Sequence, residues 1–202
     1  MRSWPACTRP ASCSVMPPSD GRRGADLTAL YQDLILDHYR RPRNRGLLEH
    51  ADATVTKKNP LCGDVITVQL ELDGDTVRDV KFAGEGCAIS QASASMMTQM
   101  LKGRSAQDIG RVAATFTRMI EGDSSAAADA SLGELRALAG VARLPQRQKC
   151  ALLAWSGVAQ AITIDVADTS RGRNRLHERA HVIEERVEVG FPVNKADATS
   201  LG

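Results

Sequence analysis

Apolar and polar residues alternate along residues 65–72, where isoleucine, valine and leucine occupy every second position from residue 66. A period of two is typical of a strand with one buried face. The sequence Asp73-Gly74-Asp75 follows and indicates a hairpin turn, which leads into a second predicted strand over residues 76–83. A further strand is predicted over residues 53–58. We therefore expect a small antiparallel sheet.

Outside these segments, apolar residues recur at intervals of three and four, which is the period of an amphipathic helix. One such segment begins at Asp26, a residue type favoured at N-caps, and ends before Arg41-Pro42. Another follows Cys87. A third begins at Ser105, which forms a capping-box pattern with Asp108. These three segments are predicted to be helices.

Residues 122–130 have small and polar side chains, and a short apolar segment follows over residues 132–141. A last helix is predicted after Pro145, because apolar residues again recur at helical spacing beyond it. The strands are grouped first and the helices follow them. This order predicts an α+β fold in which a small antiparallel sheet packs against several helices.

Both ends of the chain lack a sustained apolar face. Residues 1–25 mix proline, serine, glycine and arginine, a composition that buries too little surface to fold, so we expect a disordered leader. The leader resembles a transit peptide in composition, although Met16 is an alternative start of translation. Cys7 and Cys13 lie in it and are assigned no role. Residues 165–202 are expected to form a flexible charged tail with local helix near residues 177–187, which leaves one domain over residues 26–164.

Composition argues against several classes of function. The 202 residues include 26 basic and 24 acidic side chains, for a net charge of +2, and only 3% are aromatic. The chain therefore has neither the basic field nor the stacking platforms of a nucleic-acid-binding protein. No run of about 18 apolar residues indicates a membrane span, and no secretory signal is visible at the N-terminus. We expect a cytoplasmic protein that binds neither nucleic acid nor membranes.

Three cysteines fall within the predicted domain, each near the end of a predicted element. Cys62 lies in the loop before the first long strand, with Asp64 two residues later, and Cys87 and Cys150 lie at predicted helix starts. A thiol at a helix N-terminus is favoured as thiolate, the form that binds metals and attacks sulfur. Three thiolates and one carboxylate would supply the four ligands of a tetrahedral zinc ion. Alternatively, each cysteine is a small buried hydrophobic residue, as free cysteines often are.

Several longer motifs resemble the iron-sulfur cluster assembly proteins of the IscU/SufU superfamily, which includes the N-terminal domain of NifU. The resemblance covers roughly residues 29–162. The matching segments, in chain order, are Leu30-Tyr31, Asp37-His38-Tyr39, Pro42-Arg43-Asn44, Asn59-Pro60-Leu61-Cys62-Gly63-Asp64, Gly84-Glu85-Gly86-Cys87-Ala88-Ile89-Ser90 and Lys149-Cys150-Ala151. The resemblance implies the SufE/NifU-like α+β fold and a role in iron-sulfur cluster assembly.

Two differences from the scaffold branch indicate to which branch of this superfamily the chain is most similar. The scaffold branch has a histidine immediately before its third cysteine, where this chain has Lys149, and a protonated amine is a poor metal ligand. That branch also carries a Leu-Pro-Pro-Val-Lys segment for its chaperone, whereas residues 144–148 are Leu-Pro-Gln-Arg-Gln. The polar stretch after Glu121 lengthens the chain as in the SufU branch. We therefore expect a SufU-type, zinc-dependent sulfur acceptor.

The resemblance also assigns roles to individual residues. Cys62 would accept persulfide sulfur from a SufS-like cysteine desulfurase, and Asp64, Cys87 and Cys150 would complete the zinc site with it. Arg147 would orient the persulfide or the partner, although a basic residue near a helix start is more often solvated. The protein would be a sulfurtransferase-like carrier that passes sulfur to a downstream cluster scaffold, rather than a stand-alone enzyme.

Two other functions remain open. In one, the protein is itself the scaffold on which a transient iron-sulfur cluster is assembled before delivery. In the other, the zinc ion is purely structural and the protein is an interaction module. Aspartate is an unusual ligand for a closed structural zinc site, where cysteine and histidine dominate, which argues against the second.

Overall fold

A four-stranded sheet with helices packed on it forms the centre of the computed structural model, which describes residues 22–169 and 182–186 and the side chains of residues 31–162. The elements in chain order are α1 (Arg22–Arg40), β1 (Ala53–Lys58), β2 (Val65–Asp73), β3 (Thr76–Glu85), α2 (Ala88–Leu101), α3 (Ala106–Glu121), α4 (Ser124–Ala128), a 3-10 segment (Ala130–Arg143), α5 (Pro145–Thr169) and β4 (Val182–Arg186).

The strands lie in the order β3-β2-β1-β4. The pairs β1-β2 and β2-β3 are antiparallel, whereas β4 runs parallel to β1. Lys58 pairs with Val65, so the six residues between them form the loop that joins β1 to β2. This register is strongly specified, because a slip by one residue would turn the apolar side chains of β2 away from the core.

The core lies between the sheet and the helices. Ile66, Val68 and Leu70 of β2 are fully buried, as their alternation with polar residues predicts. Helix α5 packs on β1, β2 and α2. The rings of Phe116 on α3 and Trp155 on α5 stack with their centroids 5.0 Å apart. This packing fixes the N-terminal part of α5 relative to the loops at one end of the sheet.

The predicted α+β class is confirmed, and most element boundaries agree with the sequence patterns. Helix α1 ends at Arg40, as predicted, although it begins at Arg22 rather than at Asp26. Ser105 is the N-cap of α3, and its side chain accepts a hydrogen bond from the Asp108 N–H. The polar stretch after residue 121 contains the short helix α4.

The C-terminal segment differs from expectation where the structure describes it. Helix α5 continues to Thr169, and residues 182–186 form strand β4, although local helix was expected near residues 177–187. Pairing with β1 explains the strand, because β1 would otherwise be the edge of the sheet. The rest of the predicted tail and residues 1–21 of the predicted leader lie outside the described residues. Among the described helices, none has the length and apolarity that a membrane crossing requires.

Candidate metal centre

The loop between β1 and β2 carries Cys62 at its exposed tip and Asp64 at its buried base. Asn59 organises this loop. Its N–H donates to the Asp64 carbonyl oxygen at 2.8 Å, and its own carbonyl accepts from the Gly63 N–H at 2.9 Å. Gly63 has a φ of 77°, in the left-handed region that glycine adopts without strain. The loop therefore holds the carboxylate inside the protein and presents the thiol outside.

Cys87 occupies the N-cap of α2 and lies close to Asp64. Its backbone N–H donates to Asp64 Oδ1 at 3.2 Å. The preceding residue is Gly86, where an added Cβ would lie 3.0 Å from Asp64 Cγ and 2.9 Å from Ser90 Oγ. Both distances are shorter than ordinary van der Waals contacts. A glycine at position 86 therefore allows the turn from β3 into α2 to approach the carboxylate.

Cys150 lies on α5 and is fully buried. Its Sγ is 3.4 Å from Cys62 Sγ, and Asn59 Nδ2 donates to it at 3.6 Å. The prediction that Cys150 lies at a helix start and is favoured there as thiolate is wrong, because α5 begins at Pro145 and Cys150 is in its second turn. Burial instead raises the pKa of Cys150 above its ordinary value of 9.0, and the hydrogen bond with Cys62 and the charges of Cys87 and Asp64 add to this.

The structure brings together three of the four predicted metal ligands. One donor atom each from Cys62, Asp64 and Cys150 lies within 4.8 Å of the others. For Zn–S bonds of about 2.3 Å, two sulfur ligands of a tetrahedral ion are about 3.8 Å apart. The observed 3.4 Å between Cys62 Sγ and Cys150 Sγ is close to that separation. The charge of Cys87 raises the pKa of Cys150. The role of Cys87 as the fourth ligand stays a prediction.

Asp64 provides the clearest sign that this donor set fits a metal ion. Its Oδ2 is buried and has no hydrogen-bond partner among the described residues. A buried carboxylate oxygen without a partner is costly, so native structures normally supply one. A divalent cation bound beside the thiols would supply that partner. The donor set, two adjacent thiols and one unpaired carboxylate oxygen, thus fits zinc.

Arg147 lies one turn before Cys150 on α5 and is exposed. A side-chain hydrogen bond with Cys150 raises the pKa of Arg147, and the charges of Cys87, Cys150 and Cys62 raise it further. The guanidinium group therefore interacts with the thiols, and its role in orienting the persulfide or the partner stays a prediction. Lys149, the residue at the position of the scaffold branch's histidine, is exposed.

Three residues near the site were not predicted from the sequence to contribute to it: Asn59, Ser90 and Gln91. Asn59 and Ser90 are part of the quoted motifs, but a motif does not show which atoms its side chains contact. His38, also a motif residue, belongs to a different network. It is buried, with Nδ1 at 2.8 Å from Ser95 Oγ and Nε2 at 3.3 Å from Glu134 Oε2.

The α+β fold and the cluster of thiols beside a buried carboxylate define a small domain with a cysteine-rich candidate metal site. The chain belongs to the NifU-like N-terminal domain family, whose model matches residues 30–164. This match confirms the resemblance noted in the sequence.

Individual relatives agree with this assignment. The chain is 44% identical to the zinc-dependent sulfurtransferase SufU of Bacillus subtilis over 141 residues, 68% of this chain and 92% of that protein. It is 43% identical to the iron-sulfur cluster assembly scaffold protein IscU of Streptococcus pyogenes over 136 residues, 67% of this chain and 84% of that protein. A crystal structure of a candidate iron-sulfur cluster assembly scaffold protein for the SUF system from Fervidobacterium islandicum matches with a TM-score of 0.60 and 33% identity, covering 66% of this chain and 97% of that one.

Proposed function

We propose that this protein is a zinc-dependent sulfur acceptor in iron-sulfur cluster assembly and that Cys62 receives persulfide sulfur from a cysteine desulfurase. The observation that carries the proposal is the arrangement of the donors: an exposed thiol in contact with a buried thiol and close to a buried carboxylate. The name of the Bacillus subtilis relative, a zinc-dependent sulfurtransferase, supports the same function.

Exposure distinguishes Cys62 from the other two thiols. Cys62 is exposed on a loop, Cys87 is half-buried at the N-cap of α2, and Cys150 is fully buried. A persulfide carried on a partner protein needs an accessible acceptor, and loops provide such access more readily than helices fixed in a core. Cys62 is therefore the acceptor in this proposal.

The transfer is a thiol exchange reaction that balances without an external oxidant. The Cys62 thiolate attacks the terminal sulfur of the partner's persulfide, a new S–S bond forms on Cys62, and the partner's S–S bond breaks. The electron pair of the broken bond leaves on the partner's cysteine as thiolate. Arg147, which faces the thiols, stabilises the negative charge that the transferred sulfur carries.

Cys62, Asp64 and Cys150 would hold the zinc ion, with Cys87 as the predicted fourth ligand. A bound zinc ion stabilises the thiolate form of cysteine at neutral pH. Asn59 orients Cys150 by donating to its sulfur, and the Cys87 N–H orients Asp64 by donating to Oδ1. Hydrogen bonds of this kind fix the direction of a metal ligand and tune its affinity.

The scaffold function is the second candidate, and the name of the Streptococcus pyogenes relative favours it. In that case a transient iron-sulfur cluster would occupy the same residues. Lys149 argues against it, because its ammonium group cannot serve as the additional ligand that a histidine would supply. We propose a cytoplasmic location and transfer of the sulfur to a separate downstream scaffold. A colourless purified protein with one zinc ion would support the acceptor, and a brown, iron-containing protein would support the scaffold.

The decisive experiment locates the transferred sulfur. The full chain is incubated with a cysteine desulfurase and cysteine, digested under conditions that preserve persulfides, and analysed by mass spectrometry. Extra sulfur is expected on Cys62, and Cys62→Ser should abolish stimulation of the desulfurase. Cys13→Ser, in the predicted leader, serves as the matched control and should have no effect. Extra sulfur on Cys87 or Cys150 with none on Cys62 would overturn the proposal.

A further inference from the structure

Three buried side-chain oxygens without a hydrogen-bond partner among the described residues lie where β3 turns into α2. They are Asp64 Oδ2, Ser90 Oγ and Gln91 Oε1, and we call them the unpaired oxygens. Ser90 is 1% exposed and Gln91 is 3% exposed, so bulk water does not replace the missing partners. Because native proteins pair almost all buried polar atoms, a group of such atoms in one place calls for a specific explanation.

Ser90 lies in the first turn of α2, close to the N-cap. It is the third residue after Cys87, the position from which a glutamate or glutamine side chain commonly bonds back to the N-cap N–H. Here the Cys87 N–H donates to Asp64 Oδ1 instead. The Cys87 N–H is thus paired with the Asp64 carboxylate.

Ser90 Oγ nevertheless lies close to the Asp64 carboxylate. A single point beside Gly86, where a Cβ would stand, is 2.9 Å from Ser90 Oγ and 3.0 Å from Asp64 Cγ. Both groups therefore border the space beside Gly86 that a side chain would fill, which makes a hydrogen bond between them geometrically accessible.

We propose that Ser90 is a positioning residue of the metal site, an inference that rests on the proposed zinc-binding function. When the site is loaded, the Ser90 hydroxyl donates a hydrogen bond to the Asp64 carboxylate. Asp64 then directs Oδ2 towards the thiols, with Oδ1 held by the Cys87 N–H. The hydroxyl has no partner among the described residues, so a hydrogen bond to Asp64 would be its main contribution to the site.

The test separates metal affinity from stability. Zinc affinity of the full chain is measured by competition with a chromophoric chelator, and urea unfolding is measured after zinc removal. We expect Ser90→Ala to weaken zinc binding by about 10-fold, the lower end of the range for residues that orient metal ligands. Unfolding of the metal-free variant should be unchanged or shifted to higher urea concentration, because the substitution removes an unpaired buried hydroxyl.

Ser95→Ala provides the matched control on the same helix. Ser95 is also buried, but its hydroxyl bonds with His38 and with the Arg43 N–H. This variant should unfold at lower urea concentration and bind zinc with unchanged affinity. If Ser90→Ala behaves like Ser95→Ala, the Ser90 hydroxyl has a structural role and the proposal is wrong.

A double-mutant cycle tests whether Ser90 acts through Asp64. In an Asp64→Ala background, Ser90→Ala should weaken zinc binding no further, because the group that it orients is gone. An equal loss in both backgrounds would overturn the proposal. Failure of the wild-type chain to bind zinc would contradict the proposed function itself, whereas zinc binding that Ser90→Ala leaves unchanged would contradict only this inference.

Discussion

The two ends of α2 differ in how their buried polar groups are paired. Towards the C-terminal end, Ser95 Oγ accepts from the Arg43 N–H at 2.8 Å and bonds with His38 Nδ1 at 2.8 Å. Thr98 Oγ1 donates to the Ser95 carbonyl oxygen at 2.8 Å and accepts from Asn44 Nδ2 at 3.1 Å. Towards the N-terminal end lie the unpaired oxygens of Asp64, Ser90 and Gln91, which lack partners among the described residues.

This difference indicates that one end of α2 stabilises the fold and that the other end serves ligand binding. The paired end holds the segment after α1 against α2, and its hydrogen bonds are complete without any ligand. The unpaired end lies beside Cys62, Cys87 and Cys150, and each buried oxygen left without a partner costs about 1–3 kcal/mol. A bound ligand that supplies partners offsets this cost. The unpaired end of α2 is therefore the end suited to binding.

Asp64→Ala should produce the largest effect at the unpaired end. We expect zinc affinity to fall by more than about 100-fold, because a residue that only orients a ligand accounts for 10–100-fold. The metal-free variant loses a buried carboxylate oxygen without a described partner, but it also loses the acceptor of the Cys87 N–H, so its stability should change little. Asp64→Asn, which keeps an oxygen for the Cys87 N–H, separates the loss of charge from the loss of that hydrogen bond. Chelator competition that shows unchanged zinc affinity for Asp64→Ala would contradict the metal site.

Ser95→Ala should produce the next largest effect, at the paired end. The Arg43 N–H and His38 Nδ1 would both lose a partner, so the free energy of unfolding should fall by about 1–3 kcal/mol. Zinc content should not change. Urea unfolding followed by circular dichroism gives the first quantity, and metal analysis of the same sample gives the second. A variant with normal stability but reduced zinc would reverse the assignment of the two ends.

Gly86→Ala should weaken zinc binding by a smaller amount. The added methyl group would press on Ser90 Oγ at 2.9 Å and Asp64 Cγ at 3.0 Å. Displacement of the carboxylate should reduce zinc affinity by about 10-fold, similar to the loss of a residue that orients a metal ligand. Gly110→Ala is the matched control, because an added Cβ there meets no atom within 4 Å. It should stabilise α3 by about 0.5–1 kcal/mol and leave zinc affinity unchanged.

The smallest expected effect is the pH dependence of stability that arises from His38, which bonds with Ser95 at the paired end. Burial, followed by the charge of Arg43, lowers the pKa of His38 from its ordinary value of 6.5, while Glu134 and Asp37 oppose this shift. The folded protein therefore favours neutral His38, and the unfolded chain binds the proton first as pH falls. Stability should decrease below about pH 6.5 and level off once the folded state is also protonated. In His38→Gln this part of the pH dependence should be absent from urea unfolding curves measured across the same range.

The hydrogen bonds around His38 also assign its tautomer. The Glu134 carboxylate can only accept, so His38 Nε2 is the nitrogen that carries the proton, and Nδ1 accepts from the Ser95 hydroxyl, whose oxygen also accepts from the Arg43 N–H. Nε2 then carries the proton and donates to Glu134 Oε2 at 3.3 Å. Protonation of Nδ1 would oppose the Ser95 hydroxyl proton. Burial and the Ser95 hydroxyl thus favour the neutral form, whereas the hydrogen bond with Glu134 favours the protonated form.

Much of this fold could be predicted from the sequence, and parts of the site could not. The alternation over β2 and the turn at Gly74 predicted the hairpin, and the Ser105 capping box predicted the start of α3. The position of Cys150 along α5 was predicted wrongly. Pro145 carried a usable signal, because proline favours the first position of a helix. A helix that begins at Pro145 has Cys150 in its second turn. Strand β4 carried no comparable signal, because its pairing with β1 joins segments more than 120 residues apart.

Residue order alone was enough to predict the periodic elements, the α+β class and four candidate donors: Cys62, Asp64, Cys87 and Cys150. These features depend on short-range preferences and on motifs that lie within a few residues. Two contacts followed from the three-dimensional packing and not from the sequence: Cys62 Sγ lies 3.4 Å from Cys150 Sγ, and Asp64 accepts the Cys87 N–H. Distances between such atoms depend on how α2, α5 and the β1-β2 loop pack on one core, and residue order alone does not specify that packing.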